Sequence, residues 1–232
     1  EIDAVLSPLG PFEVLFVDDG SDDDTWQVLN ALAQQAPALR LARHPARYGQ
    51  SAALRTGVDA ADHDLIVTLD GDGQNDPGDI PRLLEAIDGC GQPLAAMLVI
   101  GHRTRRQDSS IKRLASRIAN AVRSRVLRDA TPDSGCGLKV FSRGTFLLLP
   151  YFDHMHRFLP ALIRRAGGQV VSVPISHRPR RGGQSKYGIL DRLGAGIIDL
   201  FGVAWLMRRC PPDYPLIAKP RSTRQTADRS QR

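Results

Sequence analysis

Short apolar runs alternate with longer amphipathic stretches along most of the chain. Phe12 to Val17, Ala38 to Arg43, Leu65 to Leu69 and Leu94 to Ile100 have the length and β-branched content of buried strands. The segments between them carry helical spacing. One helix is expected from a Ser21 or Asp22 cap through Ala36, with acidic residues at its positive end. A second runs from Gly49 to Ala61, and a third opens between Pro77 and Pro81 and ends near Asp88. Further on, a helix is expected over 109–127, a strand over Gly137 to Phe141, a helix over Met155 to Ala166 and a strand over Gln169 to His177. A basic, glycine-containing loop follows over 178–187. Residues 188–209 then form an amphipathic helix with apolar positions at Leu190, Leu193, Ile197, Phe201, Ala204 and Trp205. The pattern predicts one α/β domain over 1–187, the helix 188–209, and a basic, disordered tail over 210–232.

Chemistry concentrates where the strands stop. Leu65-Ile-Val-Thr-Leu-Asp70-Gly-Asp72-Gly-Gln74 sets two carboxylates two residues apart, directly after an apolar run. In open α/β sheets, ligands gather at the carboxyl ends of strands. Adjacent carboxylates there call for a cation, and hard oxygen donors favour Mg²⁺ or Mn²⁺ shared with a substrate phosphate. An EF-hand loop starting at Asp70 would need Gly at its sixth position and Glu at its twelfth, where Asn75 and Pro81 stand. A phosphatase-type nucleophilic aspartate would need a second acidic pair to hold its metal, and none follows. A plain helix-capping turn remains the alternative. The first strand ends similarly, in Asp18-Asp19-Gly20, where Gly20 allows close backbone approach.

Charge sharpens this reading. Residues 1–99 hold 5 Lys and Arg against 17 Asp and Glu, whereas residues 100–232 hold 26 against 8. An acidic half suits a cation; a basic half suits phosphates or an anionic membrane surface. Aromatic residues are few and no nucleic-acid recognition motif occurs, so nucleic acid is not an expected partner. Cys90, Cys136 and Cys210 lack metal or disulfide spacing, which fits a reducing, cytoplasmic setting.

Five segments, in order, resemble family 2 glycosyltransferases of the GT-A fold. They are Val17-Asp-Asp-Gly-Ser-Asp-Asp-Asp-Thr25, Tyr48-Gly-Gln-Ser-Ala-Ala-Leu-Arg-Thr-Gly57, Leu69-Asp-Gly-Asp-Gly-Gln-Asn-Asp-Pro77, Asp133-Ser-Gly-Cys-Gly137, and His177-Arg-Pro-Arg180 with Gly183-Gln-Ser-Lys-Tyr187. The likeness is strongest to the polyprenol-phosphate group, which includes dolichol-phosphate mannose synthase. It implies an α/β, Rossmann-like, mostly parallel sheet with flanking helices, and a metal-dependent, inverting transfer of a sugar from a GDP- or UDP-sugar to a polyprenyl phosphate. Residue by residue, it implies that Val17 and Asp19 hold the nucleoside, that Asp70 and Gly71 contact the donor, and that Asp72 and Gln74 bind Mg²⁺ or Mn²⁺. Arg180 and Lys186 would clamp donor phosphate. Arg103 would lie near the sugar and the acceptor phosphate, with Lys112 and Ser116 on the acceptor phosphate. Asp133 would orient the acceptor or line the sugar pocket; a turn aspartate is the alternative. His177 is expected to set its loop, and His154 and His156 to be structural.

The resemblance also carries a departure. Family members open with an apolar strand and a Pro-x-Tyr-Asn-Glu-like loop, whereas Glu1 to Leu6 reads as the end of the helix that follows them. The expectation is an N-terminally incomplete domain in which an upstream strand would raise donor affinity. The final helix is interrupted by Asp199 and falls short of the roughly 20 apolar residues of a membrane span. It suits a peripheral position on the cytoplasmic face of a membrane, with Arg208 and Arg209 at the headgroups; a core-packing C-terminal helix is the alternative. Two other functions compete: a sugar nucleotidyltransferase, which would show an early glycine- and lysine-rich loop, and a degenerate, non-catalytic nucleotide-sugar or membrane-binding module.

Overall fold

The computed structural model describes residues 1–103, 120–179 and 189–209, without the side chains of 189–195. Helix α1 (Ile2–Leu6) precedes β1 (Val14–Asp18), which pairs in parallel with β2 (Leu39–Arg43). A separate four-stranded sheet has the order β3, β5, β4, β6, built from β3 (Leu65–Thr68), β4 (Met97–Arg103), β5 (Lys139–Ser142) and β6 (Gln169–Ile175). There β5 runs antiparallel to both neighbours, while β4 and β6 are parallel. The acidic ends of β1 and β3 were expected on one continuous sheet edge; instead no hydrogen bonds join the two strands into one sheet.

The core explains why β4 reads as continuously apolar. Met97, Leu98, Val99 and Ile100 are fully buried because both sheet faces are covered. On one face, Leu98 and Phe141 pack with Val58, Phe146, Leu159 and Leu162. On the other, Met97, Val99 and Val140 pack with Ile80 and Leu83. The flanking helices are α2 (Thr25–Ala33), α3 (Gln50–Ala60), α4 (Ile80–Asp88), the described turns of α5 over 120–127, α6 (Arg143–Leu148), α7 (Leu159–Arg165) and α8 (Ile189–Arg208).

Three local expectations are corrected. Neither Ser21 nor Asp22 caps a helix: the Ser21 amide donates to Asp18 (3.0 Å), the Thr25 amide donates to Asp23 (3.0 Å), and α2 begins only at Thr25 and ends at Ala33. The acidic run is thus a succession of side-chain-stabilised turns. The helix expected over Met155 to Ala166 is split into a 3₁₀ turn at Met155–Arg157 and α7, because Pro160 starts a new α-helix in its first turn. Helix α6 was not anticipated; Ser142 caps it by accepting the Thr145 amide (3.3 Å).

Candidate active site

The aspartates at the end of β1 are held by the segment after β2. Asp18 is buried and forms an ion pair with Arg43 (3.1 Å). Asp19 accepts the amides of Tyr48 (2.9 Å) and Gly49 (2.7 Å) and meets the His44 ring at 2.7 Å. Burial pushes the Asp19 carboxyl up, but these hydrogen bonds outweigh it and hold it below the usual carboxylate range. Asp19 therefore fixes the loop leading into α3. Gly20 does permit a close approach, but to protein: at φ 66°, a Cβ there would lie 2.5 Å from the Ala46 carbonyl carbon. Val17 precedes Asp18 on β1, half-buried, with a methyl 3.3 Å from where a Cβ on Gly57 would sit.

The turn after β3 is the centre of the site. Asp70 is bound by its own loop, its amide donating to Asn75 (3.2 Å), and by α3, where Gln50 donates to its carboxylate (2.8 Å). On its far side stands Gly137, where a Cβ would lie 2.3 Å from a carboxylate oxygen of Asp70. Only glycine lets the Asp133–Gly137 segment pass so close. Gly71 is exposed, and a Cβ there would stand 3.1 Å from the Phe16 ring. Asp72 accepts the Gln74 amide (3.1 Å), an Asx-type turn that leaves both side chains at the rim. The loop after β6 meets this turn. The Gln74 side chain lies 3.5 Å from His177, and the Gln74 carbonyl accepts the Arg178 amide (3.0 Å). Arg178 in turn pairs with Asp76 (2.7 Å) and Glu1 (2.7 Å).

Across the rim, at the end of β4, Arg103 grips Asp133 in a two-pronged pair, at 2.6 and 2.8 Å. Asp133 is almost fully buried. Burial opposes the Arg103 charge, but the Asp133 contacts more than offset it, so the guanidinium is held firmly cationic. Beneath this pair lies Lys139, buried on β5, whose ammonium donates to the Cys136 carbonyl. Burial lowers its pKa while Cys136, Asp70 and Asp133 pull the other way. Burial likewise pushes the Cys136 thiol up. His156, as expected, is structural: it exchanges hydrogen bonds with Ser51 (2.8 and 3.3 Å), and burial lowers its pKa from 6.5 to about 3.

The structure thus gathers Asp70, Asp133 and Arg103 around the Asp133–Gly137 segment, with Asp72 and Gln74 on the adjoining turn. Arg180, Lys186, Lys112 and Ser116 lie outside the described residues. The sequence reading assigned no role to Gln50 or Lys139, though both touch this cluster. Gln50 stood inside a motif; Lys139, within a strand, gave no signal. Among the described residues, no group of three or more His, Cys, Asp or Glu side chains is placed to hold a metal by itself. An amide oxygen and one or two carboxylates nevertheless suit Mg²⁺ or Mn²⁺, which are commonly held by few protein oxygens together with substrate phosphates.

The glycosyl transferase family 2 profile matches residues 2–147. Dodecaprenyl-phosphate galacturonate synthase of Rhizobium johnstonii is 34% identical over 211 residues, covering 88% of this chain and 60% of that protein. Undecaprenyl-phosphate 4-deoxy-4-formamido-L-arabinose transferase of Sodalis glossinidius is 36% identical over 184 residues, covering 77% and 54%. The chain therefore spans little more than half the length of these relatives. Among solved structures, glucosyl-3-phosphoglycerate synthase of Mycobacterium tuberculosis with Mn²⁺, uridine diphosphate and phosphoglyceric acid is 21% identical. Its TM-score is 0.60, over 90% of this chain and 73% of that one. The same enzyme with Mg²⁺ and uridine diphosphate gives 0.58 at 22% identity, over 91% and 74%. The architecture is the α/β, Rossmann-like GT-A fold. On the profile match and the identity to its relatives, the chain belongs to glycosyl transferase family 2.

Proposed function

We propose that this domain transfers a sugar from a nucleotide-sugar to a polyprenyl phosphate, with inversion at the anomeric carbon. The observation that carries the reading is the rim itself: the acidic turn Asp70–Gln74 faces the Arg103–Asp133 pair across the Asp133–Gly137 segment. The relatives that share about a third of its residues are named for transfer to dodecaprenyl or undecaprenyl phosphate. In such a transfer an acceptor phosphate oxygen attacks the anomeric carbon. The bond from that carbon to the diphosphate breaks, and the nucleoside diphosphate leaves with the electron pair. The acceptor is already ionised at neutral pH, so the chemistry needs cations more than a strong base.

Asp72 and Gln74 would hold the divalent ion, Mg²⁺ or Mn²⁺, which supplies charge neutralisation at the departing diphosphate. Asp70 and Gly71 would contact the donor, held by Gln50 and Gly137. Val17 and Asp19 would take the nucleoside of a GDP- or UDP-sugar. Arg103 would face the sugar and acceptor phosphate with Asp133 fixing its fork; Lys112 and Ser116 would complete the acceptor contacts, and Arg180 and Lys186 the donor clamp.

A lipid acceptor requires a lipid surface, and α8 fits one. Its inner face packs on the core through Val203, while Ile198, Phe201 and Trp205 are 73%, 70% and 61% exposed. Arg209 stacks over Trp205 at 5.8 Å, which puts a cation beside the apolar face. Among the described residues no helix is long and apolar enough to cross a membrane. From the exposed apolar face of α8 and its neighbouring cation, we propose a peripheral position on the cytoplasmic leaflet.

The test is a turnover screen of GDP- and UDP-sugars with Mg²⁺ or Mn²⁺ and undecaprenyl phosphate in detergent. Metal-dependent formation of a polyprenyl-phosphate sugar is expected. Metal-dependent donor binding without any turnover would favour the non-catalytic binding module instead.

A further inference from the structure

The loop that leads from α5 to Asp133 is energetically expensive. Asp129 is fully buried, and Arg123, on α5, is buried beside it. Their charged groups approach to 3.3 Å. Yet among the described residues neither Nε nor Nη1 of Arg123, nor one oxygen of Asp129, has a hydrogen-bond partner. Burial opposes the Arg123 charge, while Asp129 and Asp133 support it. The backbone is strained as well. Of the three non-glycine residues with left-handed backbone among the described residues, two flank Asp129: Arg128 at φ 54° and Ala130 at φ 48°. Apolar residues of similar volume would stabilise such a loop as well or better, because desolvating two charges rivals their mutual attraction. Buried charge and strained backbone side by side point to a geometry kept for function.

The hydrogen bonds of this pair act on the chain that leads to Asp133. Asp129 accepts the Thr131 amide (3.3 Å) with its carboxylate and the Thr131 hydroxyl (3.0 Å) with its carbonyl. From α5, Arg123 donates to the Thr131 carbonyl (2.5 Å) and Asn120 to the Pro132 carbonyl (3.3 Å). The next residue is Asp133, whose carboxylate holds both Nε and Nη2 of Arg103. The other end of the Asp133–Gly137 segment, beside Asp70, is anchored separately. The Thr68 hydroxyl donates to the Gly137 carbonyl (2.6 Å), and the Lys139 ammonium to that of Cys136. We propose that Arg123 and Asp129 are positioning residues: as a buried pair they hold Thr131 against α5 and so fix the Asp133 carboxylate that aims the Arg103 guanidinium at the acceptor phosphate. The target of Arg103 rests on the sugar-transfer reading; the geometry of the brace does not. Because the Asp70 end has its own anchors, the brace governs the acceptor side and leaves the donor side alone.

The test is the full chain carrying Arg123→Met and Asp129→Leu together, which removes both charges and leaves neither stranded. Its thermal midpoint is expected near that of the unaltered chain. Its kcat/KM for undecaprenyl phosphate is expected to fall on the order of 10²-fold, with the KM for the nucleotide-sugar unchanged. Asp129→Asn keeps an acceptor for the Thr131 amide; it is expected to show the same split at smaller amplitude, and it serves if the apolar pair does not fold. A second readout needs no turnover. Exchange of the Arg103 Nε–H with water, followed by ¹⁵N NMR, is expected to quicken by at least about tenfold in either variant. Unchanged Nε–H exchange, an unchanged kcat/KM for the acceptor, or a donor KM that rises in step with the loss would overturn the proposal. If the unaltered chain transfers no sugar to a lipid phosphate, the sugar-transfer reading falls, and Nε–H exchange alone decides whether the pair positions Arg103.

Discussion

At Gly137 a single hydrogen atom separates a working site from a displaced one. A Cβ there would lie 2.3 Å from one oxygen of Asp70 and 2.7 Å from the other, so Gly137→Ala must move the carboxylate. Misplacing a reactive group by about 1 Å costs on the order of 10²-fold in rate. Turnover of G137A is expected to fall by that order, with little change in thermal midpoint. The Arg103–Asp133 pair behaves differently, because Asp133 is 3% exposed. Asp133→Ala strands a half-buried guanidinium and should destabilise the fold by about 3 kcal/mol in urea titrations. His156 sets a pH dependence. Its folded pKa of about 3 lies below its ordinary 6.5. The unfolded chain therefore binds the extra proton first. The stability of the neutral ring is fully present above about pH 6.5 and is lost at about 1.4 kcal/mol per pH unit as pH falls toward 3. His156→Gln should flatten that slope in denaturation curves taken between pH 4 and 7, which are chosen as roughly the window between the two values. Asp70, Asp72 and Gln74 were legible in the sequence because a strand pattern stops on them. Lys139 and the bond from Gln50 to Asp70 were not, since both depend on contacts between distant segments.

Strand positions were legible in apolar runs, because burial leaves little room for polar residues, except that the run Leu94 to Ile100 opens with a 3₁₀ turn at Leu94–Ala96 and β4 spans Met97–Arg103. The helix boundaries were less legible. Side chains of Asp18 and Asp23 compete with helix capping at 21–25, and Pro160 breaks a stretch whose periodicity alone looks continuous. Helix α6 is short, and its apolar content merges with that of β5. Helix α8 lies where a helix was expected over 188–209, and its exposed outer face gives the clearest element-scale expectation. Each large apolar side chain buried in lipid contributes about 1.5–3 kcal/mol. Phe201→Ser with Trp205→Ser should therefore lower cosedimentation with anionic phospholipid vesicles by at least about tenfold, without changing the circular dichroism spectrum. Undiminished sedimentation would separate α8 from the membrane.

Over the whole molecule, the acidic first part and the basic second part meet at one rim. The turn after β3 touches the loop after β6 through Gln74 and His177, and α1 closes onto the same loop through Glu1 and Arg178. Composition suggested that opposition of charge, but only the fold brings residues a hundred positions apart into one edge. The acidic ends of β1 and β3 were read from sequence as one sheet edge, whereas β1–β2 and the four-stranded sheet share no ladder and the facing walls of β1 and β3 are half-exposed. The central claim is that the Asp72–Gln74 turn seats a divalent ion that binds the donor's diphosphate. Calorimetric titration of UDP and of GDP, with and without Mn²⁺, against the unaltered chain and Asp72→Asn tests it most directly. One nucleotide should bind only with the metal, and Asp72→Asn should abolish that dependence. Binding of equal strength without the metal, or undiminished by Asp72→Asn, would contradict the account.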